Sequence, residues 1–136
     1  MSHPTLDEIA ALKTKAQTFP TSFYEARKAL ADAKTRVADI KGEIDEAENE
    51  TMALVAGETN GGDKPKFTNE QARKAETARR LRADAQHQHH LGALRAAEAA
   101  RLNAELVLQR IEDEQRSHHR ACELTVAEVN LLTAGL

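Results

Sequence analysis

Between Gly57 and Thr68 the chain reads Gly-Glu-Thr-Asn-Gly-Gly-Asp-Lys-Pro-Lys-Phe-Thr, which holds three of its six glycines and one of its three prolines. Glycine and proline at that density mark a turn. On both sides, apolar residues recur at helical spacing over long stretches with almost no breakers. Two long helical arms around one turn can bury their apolar sides by folding back on each other. The sequence therefore predicts an all-α fold: an elongated antiparallel helical hairpin, coiled-coil in character, forming a single helical domain over 1–136.

The first arm begins with a short helix at about 5–18. Thr5 and Glu8 have capping-box spacing, and Leu6, Ile9, Leu12, Ala16 and Phe19 follow at three- and four-residue steps. Pro20 then predicts a break, because the residue before a proline avoids helical backbone. Ser22 with Glu25 has the spacing of a second capping box, opening a helix at 22–56. Its apolar positions are Phe23, Ala26, Leu30, Ala33, Val37, Ile40, Ile44, Ala47 and Leu54, with Thr51 filling the gap. They keep a strict heptad register, the mark of a coiled-coil seam. Gly42 lies off the seam, and Gly57 is placed to end the helix.

After the loop at 57–68, Thr68 with Gln71 has the spacing of a third capping box. Helical pattern then runs through about 69–133 without a proline. The sequence leaves open a break near 84–92, where Gln-His-Gln-His-His is a poor helix former. From Ala93 to Ile111 the apolar face is wide, including Leu94, Ala97, Ala100, Ala104, Val107, Leu108 and Ile111. A helix that apolar has more than one neighbour to cover it.

Charge gives an independent reading of the pairing. Asp39 to Glu58 holds seven acidic residues and one basic, whereas Lys64 to Arg82 holds seven basic and two acidic. Each block opposes the dipole of its own helix. Folding back sets the blocks side by side, and matching them predicts Asp45 on Arg80, Glu43 on Arg82 and Glu46 on Arg79. The same register places Ile44 beside Leu81 and Ala33 beside Gly92.

Composition excludes several functions. The net charge is −3, aromatics are 3% and there is no tryptophan, so overall charge does not point to nucleic acid or an anionic membrane. Cys122 is the one cysteine, which rules out an internal disulfide framework. No stretch approaches the roughly 20 apolar residues of a membrane span. The first residues lack the basic head and apolar core of a secretory signal, so a cytoplasmic location is expected.

No catalytic constellation stands out, so no enzyme activity and no cofactor are expected. Gly57 to Lys64 superficially resembles a phosphate-binding loop, but Asp63 precedes the lysine, Pro65 follows it, and no strand leads in. His87, His89, His90, His118 and His119 lack a completing acid or cysteine at ligand spacing. They are read as solvated, with no metal. The basic block Lys64, Lys66, Arg73, Lys74, Arg79, Arg80 and Arg82 is the candidate contact for phosphates or a protein partner. Only Phe67 lies beside it to stack on bases, so any binding to nucleic acid is expected to be weak. Phe19, Phe23 and Tyr24 read as a core plug.

The run Phe67-Thr-Asn-Glu-Gln-Ala-Arg-Lys-Ala-Glu76, after a long helix and a glycine-bearing loop, resembles a motif of small phage and prophage helical proteins of unknown function. Those often read Lys-Asn-x-x-x-Arg-x-Ala. Asn69 and Arg73 match, while Thr68 stands in place of the lysine and Asp84-Ala85 in place of an Asp-Pro between the later helices. The likeness covers about two thirds of the chain. It implies a helical hairpin with a non-enzymatic accessory role in a bacterial host, with Asn69 as a cap and Arg73 as a loop clamp. Nucleic-acid binding in phage replication or recombination is the alternative.

The C-terminal stretch predicts self-association. Ala121 to Leu136 carries Leu124, Val126, Val129, Leu131 and Leu132 among only two charged residues. Monomers rarely leave such a patch in water, so a homo-oligomer is expected with those five residues at its interface.

Overall fold

The structure, a computed structural model, describes residues 4–135. The first three residues, read above for a signal, and Leu136 of the C-terminal segment lie outside the described residues. Three helices account for most of the chain: α1 (Leu6–Gly57), α2 (Glu70–Ala83) and α3 (Ala85–Ala134). Among the described residues there is no strand beyond an isolated bridge between Thr59 and Pro65. No described helix is long and apolar enough to cross a membrane.

The N-terminus of α1 forms as its sequence predicts. The Thr5 amide donates to Glu8 Oε2 and the Glu8 amide to Thr5 Oγ1, both at 3.1 Å. These reciprocal bonds satisfy two amides that the first turn leaves without partners.

The expected break at Phe19-Pro20 does not occur. α1 runs through Pro20 without interruption, so 5–18 is no separate helix and Ser22 is no cap. Phe19, Phe23 and Ala26 are all buried, and their spacing of four and three places them on one side of a continuous helix. Breaking the helix at Pro20 would separate them. Pro20 itself is exposed. Tertiary packing thus outweighs the local preference of one residue. Tyr24, assigned to the same plug, is 66% exposed.

The chain divides into two compact units. The first comprises the described residues up to Asp32 together with those from Leu102 onward. In it the Phe19 ring lies 5.4 Å from that of His118. Phe23 carries the Arg27 guanidinium 5.0 Å from its ring centre. The second unit, Ala33–Arg101, has a core of Val37, Ile40, Ile44 and Ala97, with Leu91, Ala93 and Leu94 packed against it.

Within the second unit side chains of α1 and of the Glu58 loop meet those of α2 and α3. Lys41 reaches Glu98 at 3.8 Å, Glu43 reaches His90 at 3.7 Å and Glu58 reaches Arg80 at 2.6 Å. The register expected from charge is therefore wrong. Glu43 lies opposite His90 rather than Arg82, roughly two helical turns away, and Arg80 takes Glu58 rather than Asp45. Exposed ion pairs contribute only about 0–1 kcal/mol each. Packing Val37, Ile40 and Ile44 against Leu91, Leu94 and Ala97 buries far more apolar surface, and it sets the register.

The break in the second arm falls at one residue, Asp84, whose backbone is extended (φ −81°, ψ 111°). Its amide donates to the Leu81 carbonyl at 3.2 Å. Its Oδ1 accepts from the amides of Gln86 and His87 at 2.9 and 3.4 Å. One aspartate thus ends α2 and caps α3. The histidine-rich run blamed for the break lies inside α3.

The α2 N-cap is Asn69, not Thr68. Asn69 Oδ1 accepts from the Ala72 amide at 2.7 Å. Upstream, the loop is folded on itself: Asn60 and Lys66 amides donate to the carbonyls of Lys64 and Glu58 at 3.2 and 2.9 Å. Gly61 takes the positive φ of 85° that this tight turn requires.

Candidate interaction surfaces

The basic block is mostly occupied by its own chain. Arg73 Nη1 donates to the Phe67 carbonyl at 3.3 Å, holding the loop against α2. Lys74 pairs with Glu70 one turn back at 3.1 Å. Lys66 reaches Glu58 at 4.0 Å and lies over the Phe67 ring. Arg79 and Arg80 both bind Glu76, at 2.6 and 2.9 Å, and Arg80 also binds Glu58 at 2.6 Å. Lys64 and Arg82 are exposed. The residues read as a phosphate stripe thus act largely as a clamp around Glu58 and Glu76. Glu58 is the last residue of the acidic block expected to face these bases, whereas Glu76 belongs to α2 itself, and neither is one of the register partners Asp45, Glu43 and Glu46.

Hydrogen bonds from Arg79 and then Arg80 hold the Glu76 carboxyl down at about 2, below its ordinary 4.5. An acid whose pKa is depressed by folding stabilises the folded state above its unfolded value. That contribution is lost as pH falls from about 4.5 toward about 2. Glu76→Gln is therefore expected to flatten the loss of thermal stability across this window. Melting curves at several pH values for both proteins check it, and equal acid sensitivity would contradict the clamp.

Two histidines depart from the solvated reading. His87 and His118 are buried, and His90 is half-buried. His118 Nε2 lies 3.5 Å from Cys122 Sγ. His87 and His90 point their Nε2 atoms toward Glu48 and Glu43, at 4.0 and 3.7 Å. They line a cleft of about 380 Å³ with Glu43, Glu46, Glu50 and Asp84. Sequence spacing missed this cleft because its acids and imidazoles come from different helices. Among the described residues no three of His, Cys, Asp and Glu are grouped to hold a metal ion.

The five C-terminal interface candidates are all exposed: Leu124 66%, Val126 58%, Val129 38%, Leu131 61% and Leu132 42%. They do not form one face. At about 100° per residue, Leu124 and Leu131 share a side of α3, while Val126 and Val129 lie nearly opposite and Leu132 about a quarter turn away. Near the start of α1, Leu6 and Ile9 are also exposed. Ile9, Leu12 and Ala16 line a shallow apolar groove with Cys122, Thr125 and Val126. Leu102 and Leu106, at 54% and 57% exposed, belong to the apolar surface as well. They fall outside the apolar stripe from Leu94 to Ile111, so helical spacing alone does not mark them.

Compared with models of protein families, with curated proteins and with solved structures, the chain matches none.

Proposed function

We propose that this chain is a non-enzymatic accessory protein that works by self-assembly and by contact with another protein. In this reading it is an antiparallel helical hairpin with a coiled-coil seam, and it acts in the cytoplasm of a bacterial host. The observation that carries the proposal is the exposed apolar surface of α3, where Leu102, Leu106, Leu124 and Leu131, each at 54% exposure or more, lie on one side of the helix. A surface of this kind marks a protein contact. The likeness of Phe67–Glu76 to small phage helical proteins supports the accessory role. Asn69 and Arg73, the residues that carry it, cap α2 and hold the loop, which is structural work without chemistry.

The basic block favours this reading over nucleic-acid binding, because Glu58, Glu70 and Glu76 already engage four of its side chains, Lys66, Lys74, Arg79 and Arg80, and the Phe67 carbonyl engages Arg73. The test is the mass in solution by light scattering at micromolar concentration, beside a salt titration of DNA binding. A multiple of the chain mass, with DNA affinity absent or lost by about 0.2 M salt, is the expected result. A monomer overturns self-assembly. DNA binding that survives physiological salt and collapses in Arg79→Glu/Arg82→Glu overturns the choice of partner.

A further inference from the structure

Four leucines of α3 are more than half exposed: Leu102, Leu106, Leu124 and Leu131. At about 100° per residue they fall within about 40° of one another, on one side of the helix. The withdrawn positions Ala104, Val107, Leu108, Ile111, His118 and Cys122 fall on the opposite side. Between the two leucine pairs, the exposed side carries Asp113, Arg116 and Arg120.

The order along this stripe is leucine pair, acid, two bases, leucine pair. Laid against itself in reverse, it sets leucine on leucine and base on acid. Laid against itself in parallel, it sets Asp113 on Asp113 and Arg120 on Arg120, with like charges opposed. A surface complementary to its own reversed copy is what a two-fold symmetric contact requires, since each residue pair then occurs twice.

We propose that α3 docks antiparallel on α3 of a second copy of this chain. Leu106 lies against the second copy's Leu124, Leu102 against its Leu131, and Asp113 between its Arg116 and Arg120. The proposal rests on the self-assembly reading above and adds its surface and register. Within one chain Arg116 Nη2 already sits 2.9 Å from Asp113 Oδ1. The carboxylate is thus held in place before the second copy's arginines arrive. The leucines are exposed in the single chain, so they can be replaced without loss of its core.

The test uses the full chain with Cys122→Ser, into which Leu106→Cys or Leu124→Cys is placed. The two variants are oxidised separately, and also after mixing in urea and refolding together. In the proposed register, the two copies of either cysteine lie more than about 25 Å apart along the helix axis. A disulfide-linked dimer is therefore expected from the mixture alone. Asp113→Arg is expected to weaken dimerisation at least tenfold with unchanged helicity, and Arg116→Asp/Arg120→Asp added to it should restore binding. A dimer by light scattering that forms no disulfide in the mixture, or forms it equally from each variant alone, overturns the register and leaves self-assembly standing. A monomer throughout overturns both.

Discussion

Replacing Ile40 by alanine is expected to lower the unfolding free energy by about 3 kcal/mol. Ile40 is 2% exposed and sits among Val37, Ile44 and Ala97, with Leu91, Ala93 and Leu94 against them. Helices facing one another enclose few such positions, so truncation leaves a cavity with little around it able to move in. Small domains are stable by only about 5–15 kcal/mol, and one side chain here carries a large share. The same experiment fixes which side of α1 faces inward near the loop. Val55 is 1% exposed and Leu54 64%. Val55→Ala is expected to cost about 2 kcal/mol, and Leu54→Ala less than about 0.5 kcal/mol. Urea unfolding followed by far-UV circular dichroism measures all three. Equal losses at 54 and 55 would mean that the strict heptad, not the observed packing, describes this end of the helix.

That contrast shows how far periodicity carries. The seam read from the sequence is buried or half-buried from Phe23 through Thr51, because three- and four-residue steps follow one face of any helix. It fails at Leu54. A strict heptad drifts by about 20° per repeat on a straight helix, and after four repeats the inward position has moved to Val55. Charge was a poorer guide than apolar spacing. Glu58 of the acidic block does meet Lys66 and Arg80 of the basic one, but matching the blocks end to end misplaces the register, since exposed pairs are too weak to fix it. Asp84 was legible as a place for a break and illegible as its cause. Its side chain does the capping, whereas low helix propensity points to the histidines after it. The acidic cleft around His87 and His90 was invisible for another reason. It joins Glu43, Glu46 and Glu50 to residues about forty positions away, and no local pattern records that pairing once the register is wrong. The exposed leucines of α3 were half-seen: Leu124 and Leu131 stood out in a segment poor in charge, while Leu102 and Leu106 were hidden in one rich in apolar residues.

Pro20→Ala is expected to stabilise the chain by about 2 kcal/mol, raising the melting temperature by about 5–10 °C. An interior proline removes one helical hydrogen bond and crowds the carbonyl four residues earlier, here that of Ala16, at a cost of about 3 kcal/mol. α1 nevertheless continues through it. The penalty is present in the folded state and is outweighed by burying Phe19 on one side of it and Phe23 and Ala26 on the other. Alanine restores the amide and relieves the crowding. It also loosens the unfolded chain, which returns about 0.4–1 kcal/mol of the gain. Nothing else should change, because Pro20 is exposed and contributes little to the core. Phe19→Ala supplies the opposite control. It removes the ring that lies 5.4 Å from His118 and should destabilise by about 3 kcal/mol or more. In the Pro20→Ala background that loss should persist, since the phenylalanine packs in the same way whether or not the proline is there. A fall in stability for Pro20→Ala would instead show that the chain is broken at this point, as its sequence predicts, and that Phe19 and Phe23 are not carried on one continuous helix.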